Sequence, residues 1–133
     1  MSLPRVLLVD DHRMFLEGLC SILSRHFEVV GTATNGEEAL AAERQLQPDV
    51  IVMDLSMPVL NGMEATRKLR EMNTRSKIIL VTMYTDPAFA SEALDAGASG
   101  YVLKSDAGAE LVAAIREVLQ GQTHVSHRPS LGA

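Results

Sequence analysis

Five short runs of aliphatic residues recur along this chain, and segments with helical periodicity separate them. The runs are Arg5–Val9, Glu28–Thr32, Asp49–Met53, Lys77–Thr82 and Gly100–Leu103. Strands that are apolar on both faces and separated by helices form a parallel sheet covered on both sides, because parallel strands need long crossover connections. The sequence therefore predicts an α/β fold with a doubly wound, five-stranded parallel sheet and five helices.

The helical segments carry start signals that support this interpretation. Asn35 and Glu38 have the spacing of a capping box, in which each side chain bonds the backbone N–H of the other residue. Asp86 stands before Pro87, an arrangement typical of a cap followed by proline at the first helical position. The last segment, from about 106 to 120, has an amphipathic stripe of apolar residues.

The length of the chain fits a single domain. With 133 residues, a hydrophobic core is large enough to need no disulfide or structural metal. We expect residues 5–121 to form this domain. Residues 122–133 contain Gly, Ser, His and Pro, and we expect them to be a linker or tail.

Charge and hydropathy exclude several classes of partner. The net charge of −5 leaves no basic surface of the kind that binds duplex DNA, so we expect no direct contact with nucleic acid. No apolar run approaches the roughly 18–20 residues that cross a bilayer, and no secretory leader is recognisable, so we expect no membrane partner and a cytoplasmic location.

Polar residues stand where the predicted strands end. Asp10 and Asp11 follow the first strand, Asp54 the third, and Thr82 ends the fourth, while Lys104 follows the fifth. Loops after the carboxyl ends of parallel strands converge on one crevice, so we expect these side chains to meet there. Crowded carboxylates raise one another's pKa unless a cation joins them, and an all-oxygen donor set suits Mg²⁺. The sequence therefore predicts a magnesium site built for phosphoryl chemistry.

These residues resemble the receiver domains of two-component response regulators over about residues 5–121. The resemblance rests on Asp10-Asp11, on Asp54-Leu55-Ser56-Met57-Pro58 followed by Asn61-Gly62, on Thr82, and on Ala96-Gly97-Ala98-Ser99-Gly100-Tyr101-Val102-Leu103-Lys104. It implies a flavodoxin-like sheet with strand order 2-1-3-4-5. The chain is most similar to receivers of the LuxR/FixJ type, which carry a helix-turn-helix output domain.

The resemblance implies that Asp54 is the phosphoacceptor and that the domain needs Mg²⁺. Asp11, Asp54 and the backbone carbonyl of Ser56 would ligate the ion directly, and Asp10 would act mainly through water bound to it. A carboxylate can accept a phosphoryl group covalently, and positioning and electrostatics supply nearly all the catalysis of such a transfer.

The resemblance also implies how the phosphoryl group is held and sensed. Lys104 and the Thr82 hydroxyl would bind phosphoryl oxygens. Thr82 would then move toward the phosphate, and Tyr101 would turn inward, which changes the face formed by the fourth helix, fifth strand and fifth helix. Met83 stands where the family often has a small residue, so we expect it to restrict access to the phosphate.

The resemblance implies a signalling domain that receives its phosphoryl group from a histidine kinase and assists its own phosphorylation and dephosphorylation. We expect a homodimer on phosphorylation and the receiver part of a transcriptional regulator, which would contact DNA only through an absent C-terminal domain. The alternatives are a stand-alone receiver and, less favoured, a Mg²⁺-dependent phosphohydrolase. Phosphohydrolases of the haloacid dehalogenase type have a second Asp two residues after the first, where this chain has Ser56.

Overall fold

The computed structural model describes residues 2–126, which form alternating strands and helices. The strands are β1 (Arg5–Val9), β2 (Glu28–Ala33), β3 (Val50–Asp54), β4 (Lys77–Thr82), β5 (Gly100–Leu103) and β6 (His124–Val125). The helices are α1 (Arg13–Leu23), α2 (Gly36–Leu46), α3 (Gly62–Glu71), α4 (Pro87–Ala96) and α5 (Ala107–Leu119), and a 3-10 turn at Lys104–Asp106 leads into α5. Within residues 2–126, none of these helices has the length and apolar character that a membrane span requires.

The strands form one parallel sheet in the order β2-β1-β3-β4-β5-β6. This confirms the flavodoxin-like α/β class and the order of the first five strands, but the predicted count of five is wrong. The sixth strand, His124–Val125, lies inside the segment that was expected to be a linker or tail. It is two residues long and half polar, so it lacks the alternation or apolar run that indicates a strand. Residues 127–133 of that segment lie outside the described residues.

Two hydrophobic cores cover the two faces of the sheet. Because side chains alternate along a strand, Leu7 and Val9 of β1 pack on one face, while Val6 and Leu8 pack on the other. The first core includes apolar residues of α2, α3 and α4, and the second includes those of α1 and α5. Burial on both faces explains why the strands read as continuous apolar runs.

The helix caps follow the predicted signals with one correction. Asn35 accepts a bond from the Glu38 N–H (2.9 Å), and Asp86 accepts one from the Ala88 N–H (2.9 Å). The Glu38 carboxylate, however, bonds the N–H and hydroxyl of Thr34 (2.8 and 2.9 Å), one residue before the predicted partner. Thr34 offers two donors to that carboxylate, whereas the backbone of Asn35 offers one.

Gly62 fixes the start of α3 against the end of β3. Its N–H donates to the Leu55 carbonyl (2.8 Å), and a Cβ at this position would overlap the carbonyl oxygen of Asp54. Only glycine allows this close approach of two backbones. The position of Asp54 therefore depends on a residue eight positions later in the chain.

We expect Gly62→Ala to lower the free energy of unfolding by about 1–3 kcal/mol, because the added methyl group forces backbone atoms apart. Gly18→Ala is the matched control: it lies within α1 with open space around it, so we expect a gain of about 0.5–1 kcal/mol from helix propensity. Urea unfolding of both variants measures the difference. Equal stability of Gly62→Ala and the unsubstituted chain would contradict this account of the strand end.

Candidate functional site

Two buried carboxylates meet one ammonium group at the carboxyl edge of the sheet. Asp10 directly follows β1 and Asp54 ends the neighbouring β3, and their residues are 2% and 4% exposed. Lys104, which follows β5, reaches across the end of β4 and places its Nζ 3.1 Å from Asp10 Oδ2 and 3.4 Å from Asp54 Oδ2. The strand order thus brings together residues that lie 44 or more positions apart in the chain.

Backbone N–H groups orient the other oxygen of each carboxylate. The His12 N–H donates to Asp10 Oδ1 (2.7 Å), and the Ser56 N–H donates to Asp54 Oδ1 at the longer distance of 3.4 Å. Each carboxylate is therefore held on both sides, by a backbone donor and by Lys104. Such two-sided contact fixes the direction in which each oxygen faces the crevice.

Burial first, and then the nearby charge of Asp10, raise the pKa of Asp54 to about 6. The ammonium of Lys104 and the Ser56 N–H oppose this shift without cancelling it. Asp54 is therefore ionised only at a free-energy cost, which any added positive charge would reduce. A carboxylate in this condition attracts a cation strongly.

Ligand atoms of four neighbouring residues lie within 4.8 Å of one another: Asp10, Asp11, His12 and Asp54. Asp11 and His12 are exposed, so the group is open to solvent on one side. Three carboxylates against the single charge of Lys104 leave an excess of negative charge. Hard oxygen donors with solvent access fit Mg²⁺, which keeps several of its waters.

A cavity of about 290 Å³ opens above these groups. Its lining residues are His12, Asp54, Ser56, Thr82, Met83, Tyr84 and Lys104. Thr82 is buried, and its Oγ1 accepts a bond from the Tyr84 N–H (3.0 Å), whereas Met83 is 78% exposed. The side chain of Thr82 also hydrogen-bonds that of Tyr101, which opposes the rise in the pKa of the phenol.

Tyr101 lies inside the protein, 3% exposed, next to this loop. Its hydroxyl donates to the backbone carbonyl of Tyr84 (3.0 Å), and burial raises the pKa of its phenol. The ring of Tyr101 is therefore turned inward in this structure. The backbone of Tyr84 connects Thr82 to Tyr101: its N–H donates to the Thr82 hydroxyl, and its carbonyl accepts from the Tyr101 hydroxyl.

Two aromatic residues at the site were not anticipated from the sequence. The ring of Tyr84 stacks on Phe89 of α4 with centroids 4.9 Å apart, and its hydroxyl accepts a bond from Ser56 Oγ (3.1 Å). The ring of Phe15 lies 4.6 Å from Lys104 Nζ, a cation–π contact. Tyr84 stands two residues after a strand-end Thr, which was the available signal; the position of Phe15 on α1 gave none.

A family model described as "Response regulator receiver domain" matches residues 6–116. The chain is 44% identical over 124 residues to "Response regulator GacA" of Pseudomonas viridiflava, which covers 92% of this chain and 58% of that protein. It is 42% identical over 123 residues to "Response regulator UvrY" of Escherichia coli strain K12, covering 91% and 56%. The chain thus spans somewhat over half the length of these curated relatives.

Solved structures are similar as well. The crystal structure of a two-component response regulator of the LuxR family from Aurantimonas sp. SI85-9A1 has a TM-score of 0.89 and 41% sequence identity, covering 98% of this chain and 94% of that one. The non-phosphorylated receiver domain of the stress response regulator RcsB from Escherichia coli has a TM-score of 0.87 and 27% identity, covering 95% and 100%.

The raised pKa of Asp54 generates a stability prediction for Asp54→Asn without divalent metal. Between pH 3.8 and about 6 the folded chain keeps a proton that the unfolded chain releases, so stability falls as pH rises through this window. Asn carries no charge, so we expect the variant to be more stable by about 1–3 kcal/mol at about pH 8, with the gain vanishing below about pH 4. Urea unfolding in EDTA measures it, with exposed Asp95→Asn as the control that stays within about 0.5 kcal/mol. A variant less stable than the original at pH 8 would refute the argument.

Proposed function

This chain belongs to the response regulator receiver family, whose members are phosphorylation-activated signalling domains, and we propose that it accepts its phosphoryl group on Asp54. The observation that carries this proposal is the buried Asp54 carboxylate, held 3.4 Å from the Lys104 ammonium at a cavity that Thr82 also lines. A histidine kinase is the proposed donor. The chemistry is a transfer to the protein itself, followed by slow hydrolysis.

In the proposed step, a carboxylate oxygen of Asp54 forms a bond to phosphorus while the bond from phosphorus to the donor's imidazole nitrogen breaks. The nitrogen keeps the electron pair of the broken bond, and the product is an aspartyl phosphate. Lys104 would pair with a phosphoryl oxygen, because its ammonium already lies beside Asp54 Oδ2. The Thr82 hydroxyl would turn to donate a bond to a second phosphoryl oxygen.

Receiver domains generally bind Mg²⁺ at an acidic pocket, and the cluster of carboxylates here fits such an ion. We propose Asp11, Asp54 and the backbone carbonyl of Ser56 as direct ligands, with Asp10 acting through water. When bound, the ion would neutralise charge on the acceptor and phosphoryl oxygens. The residues of the chain supply the rest: burial fixes Asp54, and Lys104 holds it in place.

The signal would leave the site along Thr82, Tyr84 and Tyr101, which are joined through the backbone of Tyr84. A phosphoryl oxygen that draws the Thr82 hydroxyl away from the Tyr84 N–H would change the backbone at Tyr84. The position of Tyr101, which bonds the Tyr84 carbonyl, would change with it. The result would be a shift between two populations of the α4-β5-α5 face. We propose Thr82 and Tyr101 as the switch residues.

We propose that this face mediates a homodimer on phosphorylation and that the chain is the receiver part of a transcriptional regulator. Similarity to LuxR-family regulators supports this output, and DNA would be bound by another domain. A stand-alone receiver is the alternative. The domain bounds 5–121 and the cytoplasmic location stay predictions.

Asp54→Asn should abolish labelling by acetyl phosphate in the presence of Mg²⁺, because the amide cannot act as the nucleophile. We expect one phosphoryl group per unsubstituted chain by intact-mass spectrometry, none in the variant, and none after EDTA treatment. Asp95→Asn, which changes an exposed carboxylate on α4, is the matched control and should label normally. Full labelling of Asp54→Asn would identify another acceptor, and rapid multiple turnover of acetyl phosphate would favour the phosphohydrolase.

Met83 lines the cavity beside Asp54, so we propose that it restricts access of water to the phosphoryl group. Met83→Ala should then shorten the lifetime of the aspartyl phosphate by about 2- to 10-fold, up to roughly 1.4 kcal/mol in the barrier. Loss of label from the purified phosphorylated protein gives the rate. Met14→Ala, at a methionine of α1 that is 87% exposed, serves as the control. An unchanged or longer lifetime in Met83→Ala would rule this role out.

A further inference from the structure

The segment that follows α5 turns back and covers the free edge of β5. The His124 N–H donates to the Ser99 carbonyl (3.0 Å), and the Ser126 N–H donates to the Tyr101 carbonyl (2.8 Å). The Leu103 N–H donates to Ser126 Oγ (3.0 Å), so a side chain continues the pairing where the strand ends. An uncovered edge strand would present these backbone groups to other chains.

The imidazole of His124 lies between two glutamates of α5. Its Nε2 is 3.0 Å from Glu110 Oε1, and its Nδ1 is 3.0 Å from Glu117 Oε1. A carboxylate only accepts, and a neutral imidazole has a single N–H to donate. With both carboxylates ionised, the two contacts are satisfied together only when the ring is protonated, so this geometry favours the imidazolium.

Within the described residues, the charged partners of the ring both come from α5. Among residues 2–126, the ion pairs of His124 are those with Glu110 and Glu117, both from α5. The β5 side presents the backbone of Ser99 and Gly100, which carry no charge. Burial lowers the pKa of His124, but the two glutamates outweigh it and raise the pKa above the ordinary 6.5. Glu110 Oε1 also accepts a bond from Ser126 Oγ (3.1 Å), so this carboxylate holds both ends of the segment.

We propose that the edge of β5, together with Glu110 and Glu117, is a docking surface whose occupant is the chain's own segment 124–126, fastened while His124 is protonated. Because protonation and docking are linked, the full stabilisation is present below the ordinary pKa of histidine. It is lost as pH rises through the raised pKa of the docked state. Release exposes the β5 edge and frees the segment beside Tyr101.

The docking surface lies on the strand that carries Tyr101 and that ends directly before Lys104. Ser126 bonds the backbone of Tyr101, and Leu103, whose N–H bonds Ser126 Oγ, directly precedes Lys104. Docking of the segment therefore fixes the edge of the strand that carries the switch tyrosine.

The test is an NMR titration of the 133-residue, unphosphorylated chain from about pH 5.5 to 9. We expect His124 to titrate above 6.5, and the Leu103 and Ser126 amide signals to shift with the same midpoint as the segment leaves. In His124→Gln, these two amides should lose that midpoint. His26→Gln, at an exposed histidine, is the matched control and should leave both titrations unchanged.

Glu117→Gln provides a second, independent variant. Removing one carboxylate should lower the pKa of His124, and each unit of that change corresponds to about a tenfold loss in the docking constant linked to protonation. A His124 pKa at or below 6.5, or Leu103 and Ser126 amides that do not follow the His124 titration, would overturn the proposal. No phosphoryl transfer is involved, so this outcome is independent of the role proposed for Asp54.

Discussion

The arrangement at the sheet edge depends on one electrostatic constraint: Asp10 and Asp54, both buried, share the ammonium of Lys104. Two negative charges at the ends of adjacent strands repel each other, and one lysine offsets only part of that repulsion. The folded chain therefore holds an unfavourable charge in place with the energy of its two hydrophobic cores. Binding of a cation, or transfer of a group to Asp54, would reduce this repulsion. The free energy of such binding or transfer is therefore linked to the free energy of folding.

The same constraint explains the importance of Lys104, the single lysine that follows β5. Lys104 follows β5, and β4 lies between β5 and β3. The ammonium therefore reaches both carboxylates by passing over the carboxyl end of β4, at Thr82. Phe15 of α1 lies against the ammonium and limits the directions that it can take. The position of the lysine is thus set by elements from both halves of the chain.

Local patterns were sufficient to predict the parts of the structure that depend on local physics. Apolar runs buried on both faces gave the parallel sheet, and strand-end carboxylates gave the acidic cluster. Features that depend on tertiary contacts were missed. The Glu38 carboxylate bonds the two donors of Thr34, and Tyr84 connects Thr82 to Tyr101 only because Tyr101 packs beneath it. Strand β6 forms because α5 presents two glutamates to His124. Periodicity has no access to such pairings, since the partners lie on different elements.

Strand β5 is where the two electrostatic systems of the domain meet. Its carboxyl end leads to Lys104 and the buried carboxylates, and its free edge carries the segment that His124 fastens to α5. A strand paired on both sides has fewer alternative positions than an edge strand, so a docked segment restricts the movement that Tyr101 can make. If the docked segment opposes a movement of β5 that added charge at Asp54 favours, docking and that charge are thermodynamically coupled. Reciprocity then requires that protonation of His124 alter the equilibrium at Asp54 by the same factor.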